Sequence, residues 1–186
     1  MKTVCIVVGH SALDGGAENT NVQISEYDYN RVFASQIAER LHRRNVRPVI
    51  LYRANYDDLP NEVNRINPDY CIELHCNAVS NKTVKGQETL YWHASTKSKS
   101  IAKRIQAAIY GVLQERDRGI KPIRKGERGW RMLRDTDMPC IILEPFFISN
   151  DESLSRGLVM REQMANIVSN ALVKQAQEDT NYELTR

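Results

Sequence analysis

No apolar run in this 186-residue chain exceeds about six residues, far short of the roughly 18 that a bilayer span needs, so no stable membrane insertion is expected. The N-terminus also lacks the long apolar region and small-residue cleavage site of a secretory leader. Lys2 is followed by a brief run, Thr3 to Val8, that meets Gly9 and His10 and reads as a strand. Synthesis in the cytoplasm without a signal peptide is the expectation that follows. Cysteine is scarce, and Cys5, Cys71, Cys76 and Cys140 stand in or beside apolar strands instead of at framework spacing. They read as buried thiols in a reducing compartment, not as a disulfide scaffold. There is no internal repeat, no low-complexity tract and no linker, which leaves one domain over 1–178 and a polar, frayed tail over 179–186. The chain has no compact metal motif of the HExxH kind. Its one dense basic segment, Arg116 to Arg134, carries Trp130 as its sole aromatic and matches no nucleic-acid-binding fold, so a nucleic-acid partner is not expected.

What is present is an ordinary globular composition, 41% apolar and 26% charged with a net charge of +3. Strands are expected at Thr3 to Val8, Arg47 to Tyr52, Tyr70 to Leu74, Gly86 to Trp92 and Pro139 to Leu143. Helices are expected from Ser25, where Ser25 and Asp28 resemble a capping box, over Leu59 to Ile66 with a stop at Pro68, and over Ser95 to Gln114. Asp151 is read as the cap of a short helix that precedes a long last one. The basic segment reads as a loop with one short strand at its end. Alternating strands and helices imply an α/β fold of three layers, a mostly parallel twisted sheet flanked by helices on both faces.

Three of the apolar strands end in chemistry. Thr3 to Val8 runs into Gly9 and His10, Tyr70 to Leu74 runs into His75, and Met138 to Leu143 runs into Glu144. At the carboxyl ends of a parallel sheet such residues converge on one crevice. With Glu26 from the first turn of the following helix, His10 and His75 make a candidate two-histidine, one-carboxylate set, the donor set of a catalytic zinc that keeps one position open. Taken singly, each histidine is as well explained by a structural role, and Glu26 by the helix dipole. Glu144 is placed to carry the proton of an attacking water. A carboxylate directly after Ile141, Ile142 and Leu143 is costly to bury without a partner. By strand alternation Glu73 points to the same side as His75, either as a partner behind that histidine or in a salt bridge to the basic segment. His42 reads as a surface residue, and His93 as a strand-end residue that lines the cleft or lies outside it.

Several blocks together resemble the zinc-dependent N-acetylmuramoyl-L-alanine amidases of the amidase-3 type. They are Val8-Gly9-His10 with Asp14 to Ala17, Ser25 to Asn30, Ile72 to Ala78, Gly86 to Tyr91, Arg118 to Lys121, and Met138 to Glu144 ending in Phe147 to Asn150. The blocks run in family order over nearly the whole chain. The resemblance implies zinc (Zn2+) held by His10, Glu26 and His75, with Glu144 as the catalytic carboxylate. It also implies cleavage of peptidoglycan between the lactyl group of N-acetylmuramic acid and the L-alanine of the stem peptide. Asn77, Arg118 and Arg128 are further candidates for substrate contact, with a solvated loop as the alternative for the two arginines. Departures from the family pattern are Val7-Val8 before Gly9, Glu73 at a usually small polar position, and Pro145-Phe146 after Glu144, which suggest a narrower cleft floor. The expected partner is peptidoglycan, met by a monomer in the cell wall or periplasm after release through a separate pore protein, as for a phage lysin, with a bacterial amidase given without its export sequence as the alternative. A zinc peptidase acting within the stem peptide and an inactive wall-binding module are the competing readings.

Overall fold

Apolar runs that alternate with amphipathic stripes fold here as strands and covering helices. The computed structural model describes residues 1–185. In chain order the elements are β1 (Thr3–Val8), a small hairpin of β2 (Glu18–Asn19) and β3 (Ile24–Ser25), α1 (Glu26–His42), β4 (Arg47–Tyr52), α2 (Leu59–Ile66) and β5 (Tyr70–Leu74). There follow β6 (Gln87–Trp92), α3 (Thr96–Leu113), β7 (Asp117–Ile123), α4 (Trp130–Asp135), β8 (Cys140–Glu144), α5 (Asp151–Val159) and α6 (Arg161–Leu184).

The six long strands form one mixed sheet in the order β4-β1-β5-β8-β6-β7. β4, β1, β5 and β8 are parallel, β6 runs antiparallel to β8, and β7 is parallel to β6. Since β4 and β5 lie on opposite sides of β1, right-handed crossovers send α1 and α2 to opposite faces. α1, α3 and α6 cover one face, burying Ile6, Ile72, Leu74, Ile141 and Leu143. α2 and α4 cover the other, over Val7, Leu90 and Ile142. The change of direction at β1 and β5 opens a crevice at their carboxyl ends, where such sheets place their sites. Cys5, Cys71 and Cys140 lie side by side in register across β1, β5 and β8, buried with free thiols and packed as small apolar residues.

Element boundaries differ from expectation in three places. The basic segment has its strand, β7, at the start and a helix, α4, at the end. Gly119 and Pro122 disguise an edge strand, where proline is tolerated, and α4 is too short for its buried Met132 and Leu133 to show a period. α2 keeps its expected span, Leu59–Ile66, and Asn67, in a left-handed conformation (φ 50°), caps it directly before Pro68. Asn150, not Asp151, caps α5, and its side chain accepts from the Ser153 N–H at 2.8 Å. The segment expected to be a frayed tail from 179 is helical as far as Leu184. Tyr70 donates its hydroxyl to Asp179 at 2.6 Å, and Lys2 pairs with Glu183 at 2.8 Å. Arg186 lies outside the described residues.

Candidate metal centre and cleft

Glu26, His10 and His75 meet because three different elements end at one point. β5 delivers His75 one residue past its end. β1 delivers His10 across Gly9. Ser25 caps α1, accepting from the Asp28 N–H, and so sets Glu26 in the first turn. One donor atom from each of the three lies within 4.8 Å of the others, and among the described residues no other such cluster forms. Glu26 is 3% exposed, and its Oε1 accepts from the Cys76 N–H at 2.9 Å. The same oxygen is 2.6 Å from His75 Nδ1, and Oε2 is 3.5 Å from His10 Nε2. Burial alone would push the Glu26 carboxyl up, but the hydrogen bond and charge of His75 outweigh it and hold it below its ordinary value. Burial would likewise lower His75, yet the charge of Glu73 and the hydrogen bond to Glu26 hold it up to about 10.

Two glycines give the imidazoles their room. A Cβ at Gly9 would come 2.6 Å from the His75 ring, and one at Gly16, where φ is +72°, would come 2.5 Å from the His10 ring. Behind His10, Arg53 Nη2 lies 2.9 Å from Nδ1 and Asp14 Oδ2 lies 3.5 Å away. Two imidazole nitrogens and a carboxylate oxygen, open on one side to a cavity of about 300 Å³, are a donor set suited to a divalent metal with a free position.

Glu144 faces the same cavity, 6% exposed, from the end of β8. Burial raises its carboxyl to about 6, against the lowering effect of Arg128 and His75. Arg128 Nη1 donates to both its oxygens, at 2.8 and 2.9 Å, while Nη2 pairs with Glu88. Glu88 also accepts from Arg118 Nε at 2.9 Å and Asn77 Nδ2 at 2.7 Å. The carboxyl of Glu88 would be raised by burial, but these partners bring it below the usual range. Arg118 lies over the Phe147 ring at 5.0 Å and stands behind Glu88, outside the cavity wall, whereas Asn77, Glu73 and Arg128 line it.

The antiparallel run of β6 explains one missed residue and one displaced expectation. Glu88, at its start, is in register with Glu144, and His93, beyond its far end, is exposed beside Trp92 and away from the cleft. Phe146 does not narrow the floor. It turns into the core, 4.9 Å from the Tyr29 ring and against Gly157. His42 is exposed at the end of α1. The sequence reading missed Glu88 and Arg53; for Glu88 the available signal was a carboxylate inside a strand, the signal that marked Glu144. A larger hollow of about 820 Å³ at the opposite end of the strands is walled by the Lys2 ion pairs and holds no histidine or thiol.

The sequence profile of the N-acetylmuramoyl-L-alanine amidase family, amidase-3 type, matches residues 4–175. The chain belongs to that family. It is 27% identical over 181 residues to the N-acetylmuramoyl-L-alanine amidase LytC of Bacillus subtilis, covering 92% of this chain and 35% of LytC. It is 26% identical over 174 residues to the probable cell wall amidase LytH of Staphylococcus epidermidis, covering 92% and 57%. The chain thus spans between about a third and somewhat over half of these relatives. Among solved structures, the N-acetylmuramoyl-L-alanine amidase of Clostridium difficile 630 superposes with a TM-score of 0.81 at 25% identity, covering 97% of each chain. The catalytic domain of the CD27L endolysin shares the fold, with a TM-score of 0.79 at 24% identity over 94% of this chain and 98% of that domain. Among the described residues no helix of this member of the amidase-3 family is long and apolar enough to cross a membrane.

Proposed function

We propose that this chain hydrolyses the amide between the lactyl group of N-acetylmuramic acid and the L-alanine of the peptidoglycan stem peptide, with zinc held by His10, Glu26 and His75. The observation that carries the reading is the meeting of those three donors with Glu144 in one cavity of an amidase-family chain. When bound there, zinc supplies Lewis acidity and makes hydroxide available near neutral pH. Glu144, raised to about 6, gives up its proton readily near neutrality and then accepts one from the attacking water. It passes that proton to the alanine nitrogen, without which an amine leaves poorly. Arg128 holds both Glu144 oxygens and steers them toward the cavity, and Glu88 fixes Arg128 and Asn77 from behind. Residues 1–178 are the catalytic domain on this reading, and the chain acts on the cell wall or in the periplasm. The reading is supported by similarity to a probable cell wall amidase, and the fold is shared with the catalytic domain of an endolysin.

The test is to incubate the zinc-loaded protein and a Glu144→Gln variant with purified peptidoglycan and to identify new termini by mass spectrometry. The parent should release peptides beginning at L-alanine and leave intact lactyl-muramic acid. The variant should be slower by about 10²–10⁴-fold, since it lacks the proton carrier, while still holding one metal. New termini inside the stem peptide would make the chain a peptidase instead.

A further inference from the structure

Glu73 is an ionisable side chain flanked in its row of the sheet by apolar residues. In β5 it stands in register between Val7 of β1 and Ile142 of β8, both buried, and it is itself 1% exposed. Neither of its carboxylate oxygens finds a well-aligned hydrogen bond among the described residues, which is a costly arrangement for a buried acid. Packing gives no reason for a carboxylate here, since the neighbours on this face, Cys71, Leu90 and Ile142, are apolar. Glu73 does have one close neighbour of opposite character. Its Oε1 lies 3.1 Å from His75 Nε2, on the far side of the ring from Glu26, and its side chain borders the cavity.

We propose that Glu73 is a positioning residue for the metal centre. It holds the ring proton of His75 on Nε2, so that Nδ1 is the nitrogen that faces Glu26 and the metal. The inference rests on the metal-centre reading given above. A neutral imidazole carries one proton, and the partner of one nitrogen decides which nitrogen keeps a lone pair. Without an acceptor behind Nε2, the proton is free to settle on Nδ1, where it blocks the metal side. Glu73 also fixes the ring plane from behind, while Gly9 leaves the space for the ring in front. The position thus presents the histidine to the metal side in one tautomer.

The experiment uses the full chain, stripped of metal, with the substitutions Glu73→Leu, Glu73→Met and Glu73→Gln. Two quantities are read: zinc affinity by competition with a chromophoric chelator, and the thermal midpoint of the metal-free protein. Glu73→Leu should weaken zinc binding about 10–100-fold, the usual cost of losing a carboxylate behind a metal-bound histidine. At the same time its metal-free midpoint should stay close to the parent's, because the desolvated acid is removed together with its contact to His75, which keeps Glu26 as a partner. Glu73→Gln, which keeps an oxygen to accept from Nε2–H, should fall between parent and leucine variant. Glu73→Met replaces the leucine variant should that one not fold. In the zinc-loaded parent, nitrogen NMR of His75 should report a protonated Nε2. Unchanged zinc affinity in the apolar variants would overturn the proposal, most plainly if the midpoint drops instead, since that is the signature of a packing role. Failure of the parent to bind zinc would refute the metal centre itself and this role with it, an outcome that the parent measurement alone identifies.

Discussion

The two histidines of the centre are alike in sequence, each one step past a strand, and differ in what stands behind them. His75 is clamped between two buried carboxylates, Glu26 on Nδ1 and Glu73 on Nε2. His10 meets the edge of Glu26 at 3.5 Å, and its other nitrogen faces an arginine and an exposed aspartate. His75 follows directly from sheet register. His10 has a left-handed backbone (φ 67°) and opens a loop that returns only at Glu18. The difference teaches that one side of the site is built into the core, whereas the other is held by surface contacts that metal binding can rearrange.

Removing each ring in turn is the severest way to break this comparison. His75→Ala leaves Glu26 and Glu73 buried without their shared cation, and it should destabilise the metal-free protein by about 3–5 kcal/mol. His10→Ala leaves Glu26 its bonds to His75 and Cys76 and should cost only about 1 kcal/mol. Both should abolish tight zinc binding, so chemical unfolding, not metal content, separates them. Equal losses of stability would erase the distinction.

The pH dependence of the metal-free protein sharpens the same point. His75 is raised from 6.5 to about 10, so its contribution to stability is fully present below pH 6.5 and is lost as the pH rises through about 10. The urea midpoint should therefore decline between neutral pH and about 10. In the zinc-loaded protein Nδ1 carries no proton, and that decline should flatten. A midpoint independent of pH in the metal-free protein would contradict the clamp around His75.

How much of this was legible in the sequence depends on strand direction. His10, His75 and Glu144 could be placed because each ends an apolar run, and parallel strands bring such ends together. Glu26 could be placed because Ser25 marks the start of α1. Glu88 carried the same signal as Glu144 but could not be placed, since nothing in Gly86 to Trp92 states that β6 runs antiparallel. The same blindness left His93 as a candidate for the cleft. Arg128 was singled out with Arg118 as a candidate for substrate contact, but not as the partner of Glu144. Its grip on Glu144 depends on the path of a loop that Gly126 and Gly129 turn through positive φ, and spacing does not encode that path. Phe146 was misjudged because its position beside Glu144 does not reveal that it points into the core.

Arg128 lies on the opposite wall from both histidines, and its removal tests whether that wall sets proton chemistry. Arg128 and His75 hold the Glu144 carboxyl down against burial, and the carboxyl still stands at about 6. Glu144 must be charged to accept a proton, so kcat/KM should fall below that range as the pH drops. Arg128→Ala leaves burial less opposed, and the acid limb should move to higher pH. At pH 6 the variant should lose about fivefold in kcat/KM if the limb moves by one pH unit, with the difference from the parent closing above pH 8. A limb that stays in place would mean that Arg128 serves only the fold of its loop.

The smallest effects are expected behind His10, where the carboxylate within reach, Asp14, is largely exposed. For His10 to offer Nε2 to a metal, its proton must sit on Nδ1 and needs an acceptor, yet in the metal-free protein Arg53 donates toward that nitrogen. Asp14 is the acceptor within reach, 3.5 Å from Nδ1 and 3.4 Å from Arg53, so it can take the His10 N–H once the arginine withdraws. Asp14→Ala should therefore weaken zinc binding, and Arg53→Met should leave it unchanged or slightly tighter. Asp14 is 70% exposed, so solvent screens its charge and water can replace it as acceptor. The loss should accordingly stay below about tenfold, smaller than the loss expected behind His75. Chelator competition on both variants checks the order. An Asp14→Ala loss as large as that of Glu73→Leu would show that the two histidines are supported equally and that burial does not decide between them.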